Sequence, residues 1–499
     1  MSSQKNIVLV NPPVSRGFEQ IESTFSNLPP VASLPLLACE TERRSSRFGT
    51  SVPRILAFDR PQINQEFLAT VAEADILGLS TWFSNYDSAV AIARVAKEIN
   101  PSCKIVFGGP NATNLGSRIL ANRPFIDHVV VGDGEDVLWR LGEGQALDQV
   151  PNLWYRDNRG DPTFTFSREI CLDEIEPFDF RHVVGLDLSM YNRQNFEYTR
   201  DPSNLSISTV WIRGCPKAVE QGRCGYCSIP DKSLRCMKPD NAWAQLESLH
   251  KRYGIISFFE GGDDFSCGSF AEELASCANR LEGIHLRAYS GLRTLSDSKL
   301  EAFTKVGVSE LFIGIESTNP RINRWSGREI SPELVFEAFS RLENYGIKVC
   351  ISFLFGLPSE SRKNLLDTES LVYELVNRFD NIRVMLVSLA VPLIGSRWFS
   401  QLMNDPFIHR GYRRGDLTTT DSPDYAHLSE LSIHRHCTAT LRDIVSTVCR
   451  IRSRLPQKVS VGDFGALASI HEGRYAEGKD LAAVRAKTGE LATPTVSSS

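Results

Sequence analysis

Short apolar runs alternate with helix-period segments in two separate blocks of this 499-residue chain, and that rhythm limits the fold more than any other feature. In the first block the runs fall at 7–10, 54–59, 76–81, 104–109 and 128–134. Between them lie segments such as 86–100, with apolar residues three and four apart, the spacing of one helix face. Strands that alternate with helices build a parallel sheet covered on both faces. Five such units predict a doubly wound, Rossmann-like α/β domain over residues 1–148. Ligands of that architecture bind beyond the carboxyl ends of the strands.

Those ends carry recognisable residues. Asn11-Pro12-Pro13 follows the first run, Ser80-Thr81 the third, Gly108-Gly109-Pro110 the fourth and Gly132-Asp133-Gly134-Glu135 the fifth. Glycine lets a backbone approach a ligand closely, although turns use it as well. Four such sites on one edge make Ser80, Gly108, Gly109 and Gly132 candidate binding residues.

Residues 149–205 read as a hairpin and linker. Segments 152–155 and 163–166 flank a polar turn at 156–161, and an acidic, proline-containing connector follows at 173–179. From 206 the alternation resumes, with strands expected at 207–212, 256–260, 285–291, 310–316, 348–356 and 382–391. Helical patterns at 241–253, 269–281, 297–306, 332–345 and 360–379 separate them. Six units without a reversal predict a partial (β/α)6 barrel over 206–400, whose chemistry sits at the C-terminal strand ends. Beyond it the rhythm is lost. Residues 401–499 read as a small, mainly helical region with one amphipathic helix at 441–455 and a disordered tail at 493–499.

Residues 1–5 are polar, the apolar run after them is too short for a signal-peptide core, and no stretch approaches a membrane span, so a cytoplasmic protein is expected. A net charge of −5 leaves no footprint for nucleic acid, and Arg410, Arg413 and Arg414 read as a solvated turn. Twelve cysteines in a reducing compartment are not expected to form disulfides. Cys39, Cys103, Cys171, Cys267, Cys277, Cys350, Cys437 and Cys449 are scattered and read as small apolar side chains.

The remaining four are clustered. Arg213-Gly214-Cys215-Pro216 and Gly222-Arg223-Cys224-Gly225-Tyr226-Cys227-Ser228-Ile229-Pro230 follow the first barrel strand, where a barrel enzyme keeps its active site. Two residues separate Cys224 from Cys227. Eight separate Cys215 from Cys224, and eight separate Cys227 from Cys236. Three thiolates would leave an incomplete shell around an iron–sulfur cluster, which usually takes four cysteines. The alternative is a single zinc ion on all four cysteines.

On these residues the chain resembles the radical S-adenosylmethionine superfamily, and within it the group with an N-terminal cobalamin-binding domain. The superfamily loop reads cysteine, three residues, cysteine, one residue, aromatic, cysteine. Cys224-Gly225-Tyr226-Cys227 matches its end, while the interval after Cys215 is longer, which leaves Cys236 as the alternative first ligand. Phe259-Glu260-Gly261-Gly262-Asp263-Asp264-Phe265, Gly314-Ile315-Glu316-Ser317 and Gly356-Leu357-Pro358-Ser359-Glu360 extend the match, with Pro392, Gly395 and Ser396 after the sixth strand.

The resemblance implies a 4Fe–4S cluster on Cys215, Cys224 and Cys227. It implies S-adenosylmethionine bound near Tyr226, Gly261, Gly262, Glu316, Ser317 and Gly356, and cobalamin at Ser80, Gly108, Gly109 and Gly132. The Asp-x-His-x-x-Gly cobalamin motif is absent, so no protein histidine is expected beneath the cobalt. The implied activity is reductive cleavage of S-adenosylmethionine and functionalisation of an unactivated C–H bond, with methyl transfer from cobalamin. The substrate would be a small biosynthetic intermediate or peptide, and the partner an external one-electron reductant such as flavodoxin or ferredoxin. A cyclase, oxidase or rearrangement enzyme of the same fold is an alternative, and a non-catalytic cobalamin or metal sensor is one of a different class. A methylthiotransferase is disfavoured, because only Cys39 and Cys103 lie in the N-terminal part.

Overall fold

The expected strands β1 (Asn6–Asn11), β2 (Arg54–Asp59), β3 (Ile76–Ser80), β4 (Lys104–Gly108) and β5 (His128–Val130) pair in parallel in the order β2-β1-β3-β4-β5. The structure is a computed structural model and describes residues 4–15, 33–49, 51–186, 206–277 and 281–462. The tail expected at 493–499 lies outside the described residues.

Alternation along the strands explains the two-sided burial. Val8, Val10, Leu77 and Leu79 enter one core with Phe67, Tyr86 and Ala89 from the helices Gln65–Ala72 and Tyr86–Ile99. Ile7, Leu9 and Ile76 enter another, with Leu34 and Leu138 from Ser33–Arg47 and Leu138–Gly142. The chain reverses its winding between β1 and β3, and the carboxyl ends there are where a doubly wound sheet leaves its ligand crevice. The fifth run is a strand only over 128–130, so Gly132-Asp133-Gly134-Glu135 is loop. The hairpin forms as β6 (Leu153–Arg156) and β7 (Pro162–Phe164). Rather than standing apart as a linker, it pairs antiparallel with β5 and extends the first sheet to seven strands.

The second sheet corrects two expectations. The first barrel run is not one strand. β8 (Ser206–Thr209) enters the sheet, and the chain then breaks at Val210-Trp211 to form β9 (Ile212–Arg213), which pairs antiparallel with β10 (Arg235–Cys236). The cause is Trp211. Its indole is fully buried and donates to Gln245 Oε1 (2.8 Å), and its backbone N–H donates to Glu260 Oε1 (2.8 Å) instead of continuing the ladder.

β11 (Ser257–Glu260), β12 (His285–Tyr289), β13 (Val308–Glu316), β14 (Lys348–Phe355) and β15 (Ile382–Leu389) follow as expected. The second correction is a seventh strand, β16 (Ser460–Gly462), parallel to β15. The order β16-β15-β14-β13-β12-β11-β8 follows the chain without reversal, and among the described residues β8 and β16 remain unpaired edges, so the barrel is open. Leu286, Ala288, Leu311 and Ile313 face the outer helices, and the alternate residues Phe259, Tyr289 and Phe312 stack edge to face inside, at 5.3 and 4.9 Å.

The C-terminal helices join the two sheets. Trp398, Phe399 and Leu402 of Arg397–Met403, with Ile408 and Leu428, share one core with Tyr86, Ala112 and Leu115 of the first domain. Each such side chain contributes about 1.5–3 kcal/mol when fully buried. Asp421 adds polar clamps, accepting from Tyr86 Oη (2.8 Å) and from Arg123 Nε and Nη2 (2.7 and 3.0 Å). The amphipathic helix Leu441–Arg454 starts at a Thr440/Asp443 capping box and leads into β16. Arg410, Arg413 and Arg414 are exposed, but only Arg413 and Arg414 lie in the expected turn, since Arg410 is in the last turn of the helix Pro406–Gly411. No helix among the described residues is long and apolar enough to cross a membrane.

Candidate active site

Cys215, Cys224 and Cys227 all lie between β9 and β10, in one loop at the C-terminal edge of the barrel. Gly214 makes the turn into it. Its φ is +90°, and a side chain there would run into the carbonyl oxygen of Ser233 in the segment that leads back to β10. Cys215 then caps the short helix Pro216–Glu220. The Cys224–Cys227 segment closes on itself, Cys227 N–H to Cys224 O (3.0 Å). It is pinned from both sides at Gly225, whose N–H donates to Ser326 O and whose carbonyl accepts from Trp398 N–H, each 2.8 Å.

Burial pushes the Cys227 thiol up to about 11, reinforced by the charges of Cys224, Asp263 and Cys215, and burial raises Cys215 as well. Cys224 and Cys215 are thus near enough to Cys227 to bear on its thiol. Three soft donors on one loop suit an iron–sulfur cluster, which is broad and does not need its thiolates to converge on a point. Among the described residues no three His, Cys, Asp or Glu side chains converge on a single metal ion. Cys236 is elsewhere, with its sulfur 3.7 Å from Cys267 Sγ. The four-cysteine zinc arrangement thus lacks its fourth member.

The strand ends around this loop carry buried polar groups. Glu260, at the end of β11, accepts the N–H groups of Trp211 (2.8 Å) and Gly262 (2.9 Å), and burial raises it to about 8. Gly262 has no room for a side chain, since a Cβ would lie 2.5 Å from Ile212 O. Asp263 accepts the Gly214 N–H (2.9 Å), tying the second strand-end loop to the cysteine loop.

Tyr226 and Glu316 come together through Arg328, which the sequence reading missed. Arg328 donates to Tyr226 Oη (3.1 Å) and to Gly314 O (2.6 Å), and its charge opposes the rise that burial imposes on both Tyr226 and Glu316. Glu316 sits at φ +62°, past a bulge between β13 and β14, and accepts from Ser352 Oγ (2.7 Å). Ser317 is buried and its Oγ accepts the Asn319 N–H (3.1 Å). Gly356 (φ +84°) is packed, with a Cβ there 3.0 Å from Ile433 and 3.2 Å from Leu389.

On the first sheet, Ser80, Gly108, Gly109 and Gly132 all lie at the carboxyl edge of β3–β5. Gly109 (φ +89°) crosses so near β3 that a Cβ would be 2.8 Å from the Thr81 backbone. Thr81 holds this turn, donating from N and Oγ1 to Gly108 O (both 2.8 Å). Gly132 (φ +79°) donates to Thr113 Oγ1 (3.0 Å) and has open space where a side chain would project. Asn85, also missed, spans the crevice at the switch point. Its amide nitrogen is 3.4 Å from Asn11 Oδ1 and 3.3 Å from Pro12 O and from Ser80 O. This edge is largely backbone and glycine, which fits a large planar cofactor lying against it.

The two edges touch. Asn114, on the helix that opens at Gly109, donates to Ser228 O (2.8 Å), the residue after Cys227. Gly395 leaves room for Asn114, whose amide occupies the place of a side chain there. Arg213 of the cysteine loop pairs with Asp133 and Glu135, and Arg235 of β10 with Asp133.

The model of the Radical SAM superfamily matches residues 209–372, and that of the B12 binding domain residues 51–141. An uncharacterised methyltransferase of Pyrococcus horikoshii is 26% identical over 83% of this chain and 86% of its own. The anaerobic magnesium-protoporphyrin IX monomethyl ester cyclase of Rubrivivax gelatinosus is 25% identical over 60% of this chain, which spans only 54% of that relative. The radical S-adenosylmethionine methyltransferase TsrM of Kitasatospora setae, solved with cobalamin and a [4Fe-4S] cluster bound, superposes with a TM-score of 0.62 at 14% identity, covering 81% of this chain and 76% of its own. The B12-binding match falls on the doubly wound domain and the Radical SAM match on the open barrel that bears the cysteine loop, and the chain belongs to the radical S-adenosylmethionine superfamily, in the group that carries an N-terminal B12-binding domain.

Proposed function

We propose that this chain is an enzyme that cleaves S-adenosylmethionine reductively at a 4Fe–4S cluster held by Cys215, Cys224 and Cys227, and transfers a methyl group from cobalamin to a carbon of a small biosynthetic intermediate or peptide. The observation that carries the proposal is the contact of the two edges through Asn114 and Ser228. A group on the first edge and one on the cysteine loop are neighbours, as a methyl transfer between them requires. The B12-binding match and the methyltransferase name of the P. horikoshii relative support the same reading.

When bound, the cluster and S-adenosylmethionine supply the radical and cobalamin the methyl group, while the chain supplies position and dryness. Cys215, Cys224 and Cys227 would hold the cluster and would leave one iron for S-adenosylmethionine. Glu260 and Asp263 fix the backbone of Gly262 and Gly214, which would hold the strand-end loop beside the cysteines in place. Tyr226, oriented by Arg328, presents a ring face suited to adenine. Glu316 and Ser317 offer polar atoms at the neighbouring strand end, and Gly261 and Gly356 offer backbone. Ser80, Gly108, Gly109 and Gly132 form the cobalamin edge. The electron comes from an external one-electron reductant.

The test is anaerobic purification with iron and cobalamin counted per chain, followed by incubation with S-adenosylmethionine and a low-potential reductant. We expect four irons, one cobalamin, and formation of 5′-deoxyadenosine and S-adenosylhomocysteine. If neither nucleoside product forms, the radical reading falls. If 5′-deoxyadenosine forms with substrate turnover but no methylated product, methyl transfer falls and a cyclase or oxidase takes its place. Alanine at Cys215, Cys224 or Cys227 should abolish the cluster, and Cys236→Ala should retain it. Loss in Cys236→Ala but not in Cys215→Ala would reassign the first ligand.

A further inference from the structure

Cys236 and Cys267 have no part in the reading above, yet their sulfurs are 3.7 Å apart, at van der Waals contact. Cys236 is exposed on the two-residue strand β10, while Cys267 is buried in the loop after β11. That loop is rigid. Asp264 accepts from Ser266 N (3.0 Å) and Gly291 N (3.3 Å), and the Cys267 N–H donates to Asp264 O (3.3 Å). One thiol open to solvent against one fixed in the core is the arrangement of an attacking and a resolving cysteine.

We propose that Cys236 and Cys267 are a redox-active dithiol that closes reversibly to a disulfide by exchange with a low-molecular-weight disulfide such as oxidised glutathione. The Cys236 thiolate attacks one sulfur of the small disulfide and expels one thiolate, which leaves a mixed disulfide on Cys236. Cys267, losing its proton, attacks the Cys236 sulfur and expels the second thiolate. The protein loses two electrons and two protons, and the small disulfide gains both and leaves as two thiols. The contact with Cys267 lowers the Cys236 thiol, which agrees with Cys236 as the attacker. Bond formation must shorten the contact to about 2.05 Å, and the freedom for that lies on the Cys236 side.

The bond links two supports of the cysteine loop and none of its proposed ligands. Arg235, beside Cys236, is the register partner of Arg213, and Asp263, in the segment leading to Cys267, holds the Gly214 N–H. Oxidation therefore fastens the base of the loop. The proposal goes beyond the radical reading and rests on one part of it only, the ligand assignment that leaves Cys236 free.

The test uses anaerobically prepared full-length protein carrying its iron. It is treated with oxidised glutathione, quenched in acid, alkylated and mapped by peptide mass. We expect a peptide pair linked through Cys236 and Cys267, two hydrogens lighter than the dithiol, restored by dithiothreitol, with iron content unchanged. Cys267→Ser should trap glutathione on Cys236. Two separately alkylated thiols after treatment, a glutathione adduct on wild-type Cys236 that never resolves, or a link from Cys236 to Cys215, Cys224 or Cys227 would each overturn the proposal. Loss of iron in Cys236→Ser would overturn it too, by making Cys236 a ligand, whereas failure of the radical chemistry with the 236–267 link intact would leave it standing.

Discussion

Arg213 and Asp133 form an ion pair across the two domains, from the mouth of the cysteine loop to the last strand-end loop of the first sheet. The second guanidinium nitrogen of Arg213 takes Glu135, and Asp133 is shared with Arg235. Burial opposes ionisation of Asp133, but Arg213 and Arg235 hold its carboxyl below the usual range. Among the described residues, the buried Oε2 of Glu135 has no hydrogen-bond partner.

Arg213→Ala should therefore cost more than a surface ion pair. Removing one partner of a buried pair costs about 3–5 kcal/mol, and Arg235 offsets part of this at Asp133 but none at Glu135. We expect a lower denaturation midpoint and faster proteolysis between the domains, with Arg213→Lys intermediate. Wild-type stability in Arg213→Ala would show that the pair does not hold the domains.

Tyr226→Phe keeps the ring and removes the acceptor of the Arg328 bond. A hydrogen bond to a charged group contributes about 1.5–3 kcal/mol, and denaturant titration should register a loss of that order. Iron content should be unchanged, because the backbone of this segment is held at Gly225. Iron loss matching that of Cys227→Ala would mean that the hydroxyl, not the backbone, keeps the loop in place.

Gly109→Ala and Gly132→Ala form a matched pair. Both positions have positive φ, but only at Gly109 does a Cβ meet backbone, 2.8 Å from Thr81 N and O. The left-handed conformation alone costs about 1–2 kcal/mol, which is the loss expected for Gly132→Ala. Gly109→Ala should lose more, by about another 1–3 kcal/mol of strain. Equal losses in thermal unfolding would show that the turn relaxes away from β3.

Glu360 should make stability fall as pH rises. Burial raises its carboxyl to about 8, against the Gly356, Ser361 and Asn364 hydrogen bonds, from an ordinary value of 4.5. Between these two values the folded chain holds a proton that the unfolded chain has released. Stability then declines as pH rises. The contribution is complete below about 4.5 and lost as pH passes about 8. Glu360→Gln, which mimics the protonated form, should gain on wild type in melting temperature between pH 5 and 9. A constant difference over that range would mean that Glu360 is ionised throughout.

Most of the parallel strands were legible because an apolar run lies at their centre or end, as at 105–107 and 353–355. The cysteine loop was legible because its three cysteines are close in sequence. β16 was not, since a three-residue strand has no periodicity to detect and its partner β15 lies some seventy residues earlier. Trp211 looked like part of a strand, and only the placement of Gln245 and Glu260 around it explains the break. Arg328 and Asn85 are ordinary polar residues in sequence. Their roles arise from groups that the fold brings to them, Tyr226 and Gly314 for one, Asn11 and Ser80 for the other.

The late arrival of β16 has a consequence for biosynthesis. Its three residues pair with β15 only after the helices between them, some of which rest on the first domain, have been made. On the ribosome, where domains tend to fold in order from the N-terminus, the barrel must wait with the outer edge of β15 bare while the first domain is already complete. The helices of 397–436 then have a finished surface to settle on. In this chain the domain made first serves as the template on which the catalytic sheet receives its last strand.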